Sequence, residues 1–133
     1  LQGHSDADAL LHAITDAVLG ALALGDIGQW FPDTDERWRG ASSALLLRQV
    51  LDDPRVSCWQ LINLDCTVIT EKPKLAPHIP AMREAIAALF RCQPERISVK
   101  AKTNEQQDAI GQGAALAAQA IVLLCDMADF PED

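Results

Sequence analysis

Residues 3–20 read GHSDADALLHAITDAVLG, and their pattern predicts the helix around which the other elements are arranged. Ser5 is followed three residues later by Asp8, which is the spacing of a helix N-cap with a carboxylate that reaches back to the first backbone amides. We therefore expect the helix to begin at Ser5. Apolar residues recur at helical spacing and predict its buried side: Leu10, Leu11, Ile14, Ala17 and Val18.

A polar stripe runs along the other side of this helix, because Asp8, His12 and Asp16 are spaced by four residues. The commoner interpretation of such a stripe is a network of satisfied hydrogen bonds at a helix surface. The alternative is that His12 binds a metal ion while a carboxylate, for which Asp16 is our candidate, holds its other ring nitrogen. His4 lies beside Ser5 at the positive end of the predicted helix, where a phosphate would be stabilised. The second interpretation predicts an anionic ligand near a metal ion.

The composition limits the class of protein. A chain of 133 residues has the length of one domain, which we take as residues 1–133. Its formal charge of −8 argues against a nucleic-acid-binding surface, which needs clustered Lys and Arg. We see no apolar stretch long enough to cross a bilayer and no signal peptide, so we expect a soluble, intracellular protein with no membrane partner. The cysteines are spread singly, which predicts buried, reduced thiols: Cys58, Cys66, Cys92 and Cys125.

The segment after the first helix is rich in glycine and aromatic residues. Gly25 and Gly28 lie at its start, and both can take positive φ values and bring the backbone close to a ligand. Residues 29–40 show no periodicity and form a loop that either covers the core or closes over a substrate, and the pattern leaves both open. Ser42 or Ser43 then caps a second helix, which ends at residues 52–54 and buries one face: Leu46, Leu47, Val50 and Leu51.

Two strands are predicted over 61–70 and 97–102, where apolar and polar residues alternate. Between them, a proline-rich loop leads into a helix with Pro80 in its first turn and one apolar face: Met82, Ile86, Leu89 and Phe90. A closing helix is predicted from about Ala114 to Met127, burying five residues: Leu116, Ala120, Ile121, Leu123 and Leu124. Two strands alone do not make a stable sheet, so either neighbouring subunits complete it or part of the sheet is absent from this sequence.

Five blocks of sequence, taken in order, resemble the 2-C-methyl-D-erythritol 2,4-cyclodiphosphate synthases of the non-mevalonate isoprenoid pathway. The blocks are SDADALLHAITDA (5–17), LGDIG (24–28), FPDTD (31–35), PKLAPHIPAMR (73–83) and VKAKTNE (99–105). Because they cover nearly the whole chain in register, the resemblance is more specific than any single motif.

The resemblance implies an α+β fold: a single compact domain with a mixed sheet, helices on one face, and a homotrimer whose sheets face the central axis. It also implies active sites shared between adjacent subunits and a phosphorus–oxygen lyase activity. In that reaction, the 2-phosphate of 4-diphosphocytidyl-2-C-methyl-D-erythritol 2-phosphate attacks the β-phosphorus, closes a cyclic diphosphate and releases CMP. A cytoplasmic location, or a plastid in a eukaryote, is implied in the same way.

The resemblance assigns roles to the residues that match the family's motifs. His4 and Thr103 would polarise the reacting phosphates, and Ser5 would assist them. His12 would be one zinc ligand, and Glu105 would hold a second divalent cation, Mg²⁺ or Mn²⁺. The cytidine diphosphate substrate would contact a larger set of residues: Ser5, Asp26, Ile27, Gly28, Phe31, Pro32, Asp33, Thr34, Asp35, Thr70, Pro73, Lys74, Leu75, Ala76, Lys102, Asn104 and Gln112.

Two departures from the family pattern leave a second function open. The family takes two further zinc ligands from an Asp-x-His motif upstream of Leu1, so the chain has lost them or, as we expect, is a fragment of a longer protein. Gln112 stands where Arg is usual and Ala114 where Glu is usual, so binding of an isoprenoid diphosphate at the trimer axis is not carried over. The alternative is a non-catalytic trimeric relative that binds cytidine nucleotides or diphosphates.

Overall fold

The computed structural model describes residues 2–70, 75–103 and 117–130, with side chains from residue 7 onward. The helices and strands in these ranges follow in the order α1 Gln2–Ala21, α2 Ile27–Trp30, α3 Ser43–Asp52, α4 Pro54–Ser57, β1 Trp59–Thr70, α5 Ile79–Phe90, β2 Ile97–Thr103 and β3 Ala117–Asp126. Short 3-10 turns lie at Glu36–Trp38, Ala76–His78, Pro94–Arg96 and Met127–Asp129. Within the described ranges, no helix combines the length and the hydropathy needed to span a membrane.

β1 is the central strand of a three-stranded sheet with the order β2-β1-β3. β2 pairs with it in parallel, so that Cys66 lies opposite Val99, and β3 pairs with it antiparallel, so that Cys66 lies opposite Ala120. The strands predicted over 61–70 and 97–102 are confirmed, and β3 completes a mixed sheet. The predicted α+β fold with a mixed sheet is therefore confirmed.

One face of this sheet carries the core. The inward residues of β1 alternate with outward ones and are buried: Leu64, Cys66, Val68 and Thr70. Leu64, Cys66 and Val68 share one core cluster with apolar side chains from three helices: Leu10 and Ile14 of α1, Leu47 of α3, and Ile86 of α5. The helices therefore cover one face, as predicted. On the opposite face, Ile121 and Leu123 of β3 are 75% and 59% exposed.

The closing helix predicted for residues 114–127 is wrong, because Ala117–Asp126 forms β3. Its alanine-rich sequence suits a helix, and short apolar runs fit helical spacing as well as alternation. Pairing with β1 decides between them and leaves Ile121 and Leu123 exposed rather than buried. Leu116 lies outside the described residues. The alternate residues of the strand pack against the core: Ala118, Ala120, Val122 and Leu124.

α1 begins at Gln2, so the N-cap predicted at Ser5 is wrong. Serine inside a helix costs less than about 0.7 kcal/mol relative to alanine, so a cap motif alone does not start a helix where the preceding backbone is also helical. Of the two glycines at the start of the next segment, only Gly25 has a positive φ. Gly25 has a φ of +93°, whereas Gly28 is helical within α2.

α1 ends in a left-handed turn that uses alanine where glycine is favoured. Ala23 has a φ of +57°, and the Leu24 amide donates to the Leu19 carbonyl at 2.8 Å. This hydrogen bond spans six residues and satisfies one of the last carbonyls of the helix. The left-handed residue thereby ends α1 before α2.

The two other predicted helices are confirmed. Ser42, rather than Ser43, is the N-cap of α3, since its Oγ accepts a hydrogen bond from the Leu45 amide at 3.1 Å. α5 begins at Ile79 with Pro80 in its first turn, and Ile86 is the buried centre of its apolar face. Arg48 of α3 donates to a backbone carbonyl in the last turn of α5 and so joins the two helices.

The four cysteines are free thiols in different environments. Cys66 is buried in β1, and burial raises the pKa of its thiol to about 11. Cys58 is exposed, so the prediction of a buried thiol is wrong there. Cys92 and Cys125 are half-buried.

Candidate functional site

A cavity of about 450 Å³ opens beside His12, between α1, α2, the loop after α2 and α3. His12 is exposed, on the side of α1 away from the buried Leu10 and Ile14. Asp26 and Thr34 were predicted as substrate contacts but do not line this cavity. Six other predicted contacts line it together with His12: Ile27, Gly28, Phe31, Pro32, Asp33 and Asp35. The fold therefore brings together residues that come from two of the matching sequence blocks and from the middle of the first.

A capping box builds the α2 wall of the cavity. The Oδ1 of Asp26 accepts a hydrogen bond from the Gln29 amide at 2.8 Å, and the Gln29 Oε1 accepts one from the Asp26 amide at 3.2 Å. Gly25 precedes the box with its positive φ, and a Cβ at that position would collide with the Gln29 Oε1. The Trp30 Nε1 donates to the Leu24 carbonyl at 2.8 Å and closes the turn. The turn is thus defined by its own sequence.

A carboxylate of α1 also holds this turn. The Oδ1 of Asp16 accepts a hydrogen bond from the Ile27 amide at 2.7 Å. Asp16 lies one helical turn after His12, and the sequence predicted that it orients the imidazole. The hydrogen bond found for Asp16 in the described residues goes to Ile27 instead. Orientation of His12 by Asp16 stays a prediction.

The loop after α2 is held by aromatic and charged contacts. The rings of Phe31 and Trp38 meet edge to face with centroids 5.0 Å apart, and Phe31 also packs against a buried cluster that includes Val18. The Asp35 Oδ2 lies 2.8 Å from the Arg37 Nη2, and hydrogen bonds from Arg37 lower the pKa of the Asp35 carboxyl. The loop therefore covers part of the core and walls the cavity with a charged carboxylate. Closure over a substrate stays a prediction.

A second set of predicted residues lies where the parallel strands end. Thr70 and Thr103 are paired at the ends of β1 and β2, with Thr70 buried and both Lys102 and Thr103 exposed. Leu75 is buried beyond β1, and Ala76 begins the following 3-10 turn. None of these residues lines the His12 cavity. The described part of the chain therefore holds two separate groups of predicted site residues.

Comparison with known proteins identifies the family. Residues 1–125 match the YgbB family. The chain belongs to the YgbB family. A curated relative from Geobacter sulfurreducens, named 2-C-methyl-D-erythritol 2,4-cyclodiphosphate synthase, is 56% identical over 124 residues, which are 93% of this chain and 79% of the relative. The family recognised from the five sequence blocks is therefore confirmed.

Solved structures of such synthases share the fold described above. A 2C-methyl-D-erythritol-2,4-cyclodiphosphate synthase in its CDP-bound form is 40% identical with a TM-score of 0.80, and the match covers 92% of this chain and 79% of that one. The bifunctional IspDF from Campylobacter jejuni is 41% identical with a TM-score of 0.83, and the match covers 91% of this chain and 33% of that longer chain. The sheet and helices of this chain are therefore those of the YgbB family.

Several residues to which the family resemblance assigned roles lie wholly or partly outside the described part of the structure. The backbone of His4 and Ser5 lies in α1, but their side chains are outside the described part of the structure. Five other predicted site residues lie entirely outside the described residues: Pro73, Lys74, Asn104, Glu105 and Gln112. The roles of all these residues stay predictions.

The cavity offers one histidine to the zinc ion that the YgbB resemblance implies. Among the residues the structure describes, no group of three His, Cys, Asp or Glu side chains is arranged to hold a metal ion. Zinc sites in proteins take three or four protein ligands. His12 therefore fits such a site only as one ligand of several, and we derive no chemical step through a metal ion.

Sequence reasoning missed part of the cavity wall: Trp38, Arg39, Gly40, Ala41 and Leu46. The sequence shows that this loop is rich in aromatic residues, but nothing in their spacing predicts that Trp38 folds back onto Phe31. Leu46 was predicted to be buried, and it is, at the edge where α3 meets the cavity.

A larger groove, of about 940 Å³, lies between α1, α3 and α5. Its walls are mainly alanine, leucine and methionine side chains, with Arg48, His78 and Arg91 among them. It contains none of the residues that the family resemblance assigns to the site. We therefore take the smaller, more polar cavity beside His12 as the candidate site.

We expect Gly25→Ala to weaken the α2 turn more than backbone strain alone explains. Gly25 and Gly40 both have positive φ, so alanine at either position costs about 1 to 2 kcal/mol. At Gly25 the new Cβ also displaces the Gln29 side chain, so the hydrogen bond from the Asp26 amide to the Gln29 Oε1 is lost, which adds about 0.5 to 1.5 kcal/mol. Gly40→Ala is the matched control, because a Cβ there meets no atom within 4 Å. Urea unfolding measures both variants, and equal losses would show that the hydrogen bond to the Gln29 side chain contributes nothing.

Proposed function

We propose that this protein converts 4-diphosphocytidyl-2-C-methyl-D-erythritol 2-phosphate to 2-C-methyl-D-erythritol 2,4-cyclodiphosphate with release of CMP. The observation that supports this function most directly is the His12 cavity. Its walls combine the matched helix histidine with Gly28 and the 31–35 loop, which the resemblance assigns to one substrate. Relatives of the YgbB family carry the name of this synthase, as the one from Geobacter sulfurreducens does.

The proposed reaction needs no protein nucleophile. The 2-phosphate oxygen of the substrate forms a bond to the β-phosphorus. The bond between that phosphorus and the bridging oxygen breaks, and the oxygen keeps the electron pair and leaves as part of CMP. The barrier comes from bringing two anionic phosphates into line, so catalysis consists of positioning and charge neutralisation. We assign polarisation of the phosphates to His4 and Thr103, and binding of the sugar hydroxyls to Asp26 and Gly28.

We further propose that His12 is one zinc ligand and that Glu105 holds a second divalent cation, Mg²⁺ or Mn²⁺. Divalent cations would supply neutralisation of phosphate charge in this reaction. The exposure of His12 at the cavity supports the assignment, because a ligand must reach the ion. The remaining ligands would come from groups outside the described residues.

We propose that adjacent subunits of a homotrimer share each site. Two features support this arrangement. The cavity beside His12 and the ends of β1 and β2 form separate groups in one chain, so a neighbour could bring the missing half. The sheet face that the helices leave uncovered exposes the apolar side chains of Ile121 and Leu123, which are suited to burial between subunits.

We assign the cytosine pocket to residues 70–76, at the end of β1. The CDP-bound form of the 40% identical synthase supports a cytidine nucleotide as the ligand class. Thr70 and Leu75, the described residues on either side of the middle of this segment, are both buried, which supports a pocket there.

Direct assay of the reaction tests the proposal. We expect the full-length gene product, supplied with Zn²⁺ and with Mg²⁺ or Mn²⁺, to release CMP from the cytidyl substrate, as measured by liquid chromatography. Binding of CDP without release of CMP would contradict the proposed function and favour the non-catalytic alternative.

We expect His12→Ala to lower bound zinc and turnover together, by at least about 10-fold in turnover, because the variant removes a metal ligand. Metal analysis by mass spectrometry and the CMP assay measure the two quantities. His78→Ala is the control, since His78 is exposed on a turn and does not line the cavity. Unchanged zinc content in His12→Ala would contradict the ligand assignment.

We expect the double variant Ile121→Lys, Leu123→Lys to be monomeric, because two charges on the open sheet face cannot be buried between subunits without large desolvation cost. Light scattering after size exclusion gives the mass. Leu45→Lys is a matched control, because Leu45 is 43% exposed but lies on α3. A wild-type monomer, or a double variant that remains a trimer, would contradict the proposed interface.

A further inference from the structure

We infer that Asp16 is a positioning residue that ties α2 to α1 and thereby sets where the Ile27–Gly28 wall stands relative to His12. The inference rests on the proposed function in one respect, since it takes the His12 cavity as the substrate site. It differs from the role expected from sequence spacing, in which Asp16 acts on the His12 imidazole itself.

The hydrogen bonds described for α2 are of two kinds: some form the turn itself, and one joins it to α1. Its capping box joins Asp26 to Gln29, and its closing hydrogen bond joins Trp30 to Leu24, so both lie within residues 24–30. The hydrogen bond from the Ile27 amide to Asp16 is different, because its acceptor belongs to α1. Among the hydrogen bonds the structure describes for residues 27–30, it is the one that reaches α1. Trp30 also packs against the buried cluster that includes Val18 and Leu19 of α1. Loss of the hydrogen bond should therefore leave the turn formed and packed, and let its Ile27 end shift.

The position of Asp16 on α1 makes this attachment relevant to the site. His12 and Asp16 are one turn apart on a continuous helix, about 6 Å along its axis. Leu10, Ile14, Val18 and Leu19 are fully buried and fix the rotation of that helix against the core. The acceptor for Ile27 is therefore held by the same rigid element that presents His12. Ile27, which donates this hydrogen bond, and Gly28 next to it both line the cavity.

Two variants distinguish positioning from a charge effect. Asp16→Asn removes the negative charge but keeps an Oδ1 acceptor for the Ile27 amide. Asp16→Ala removes both. If Asp16 acted through its charge, on His12 or on a cation, the two variants would fail alike. If it acts through the hydrogen bond to Ile27, asparagine rescues what alanine loses.

Three measurements on the full-length protein test the inference. We expect amide hydrogen exchange at Ile27 to be protected in the wild type and in Asp16→Asn, and accelerated at least about 10-fold in Asp16→Ala. We expect Asp16→Ala to weaken binding of CDP by about 10-fold and to raise KM more than it lowers kcat, while Asp16→Asn stays close to the wild type. Asp129→Ala is the control, because it removes the same charge from an exposed turn far along the chain.

The outcomes separate cleanly. Equal weakening in Asp16→Asn and Asp16→Ala, wild-type CDP affinity in Asp16→Ala, or an unprotected Ile27 amide in the wild type would each overturn the inference. The last result needs no variant, so the test holds even where Asp16→Ala folds poorly. A wild type that binds CDP but releases no CMP would contradict the proposed function, and the exchange and binding results would still decide the role of Asp16.

Discussion

Packing of α1 against the inward face of the sheet, on β3 and β1, is the interaction on which the rest of the structure depends. Leu10 and Ile14 of the helix are fully buried in the same cluster as Leu64 and Val68 of β1. Burial of side chains of this size contributes about 1.5 to 3 kcal/mol each. Thr15 is also fully buried, and its hydroxyl donates to the Leu11 carbonyl at 2.7 Å, so the contact carries no unsatisfied hydroxyl there.

The same packing determines the orientation of the candidate site. A helix that buries one side presents the opposite side to solvent, so burial of Leu10 and Ile14 leaves His12 and Asp16 exposed on α1. The helix then ends at the left-handed Ala23, and the turn that follows is shaped by its own capping box. The cavity is thus formed between a helix fixed by the core and a turn fixed by local hydrogen bonds, with Asp16 as the hydrogen-bonded link between them.

The sheet shows where local sequence information is insufficient. Alternation of apolar and polar residues correctly indicated β1 and β2, where most inward residues are apolar and most outward ones are polar. It failed for β3, where alanines are frequent and both faces of the strand carry apolar residues such as Val122 and Ile121. A helix could also use that composition. The pairing of Ile121 with Asp65 and of Val122 with Leu64 settles the choice, and it involves residues more than 50 positions away.

By itself, the sequence determined the helices α1, α3 and α5, the strands β1 and β2, and the family, because periodicity, caps and ordered motifs are local properties of the chain. It also singled out His12, Gly28 and the 31–35 loop. Only the tertiary structure decided that Ala117–Asp126 is a strand, that Trp38 folds onto Phe31, and that the Asp16 carboxylate bonds to Ile27. Each of these depends on a partner elsewhere in the chain, and such a partner is chosen by which surfaces the packed core brings together.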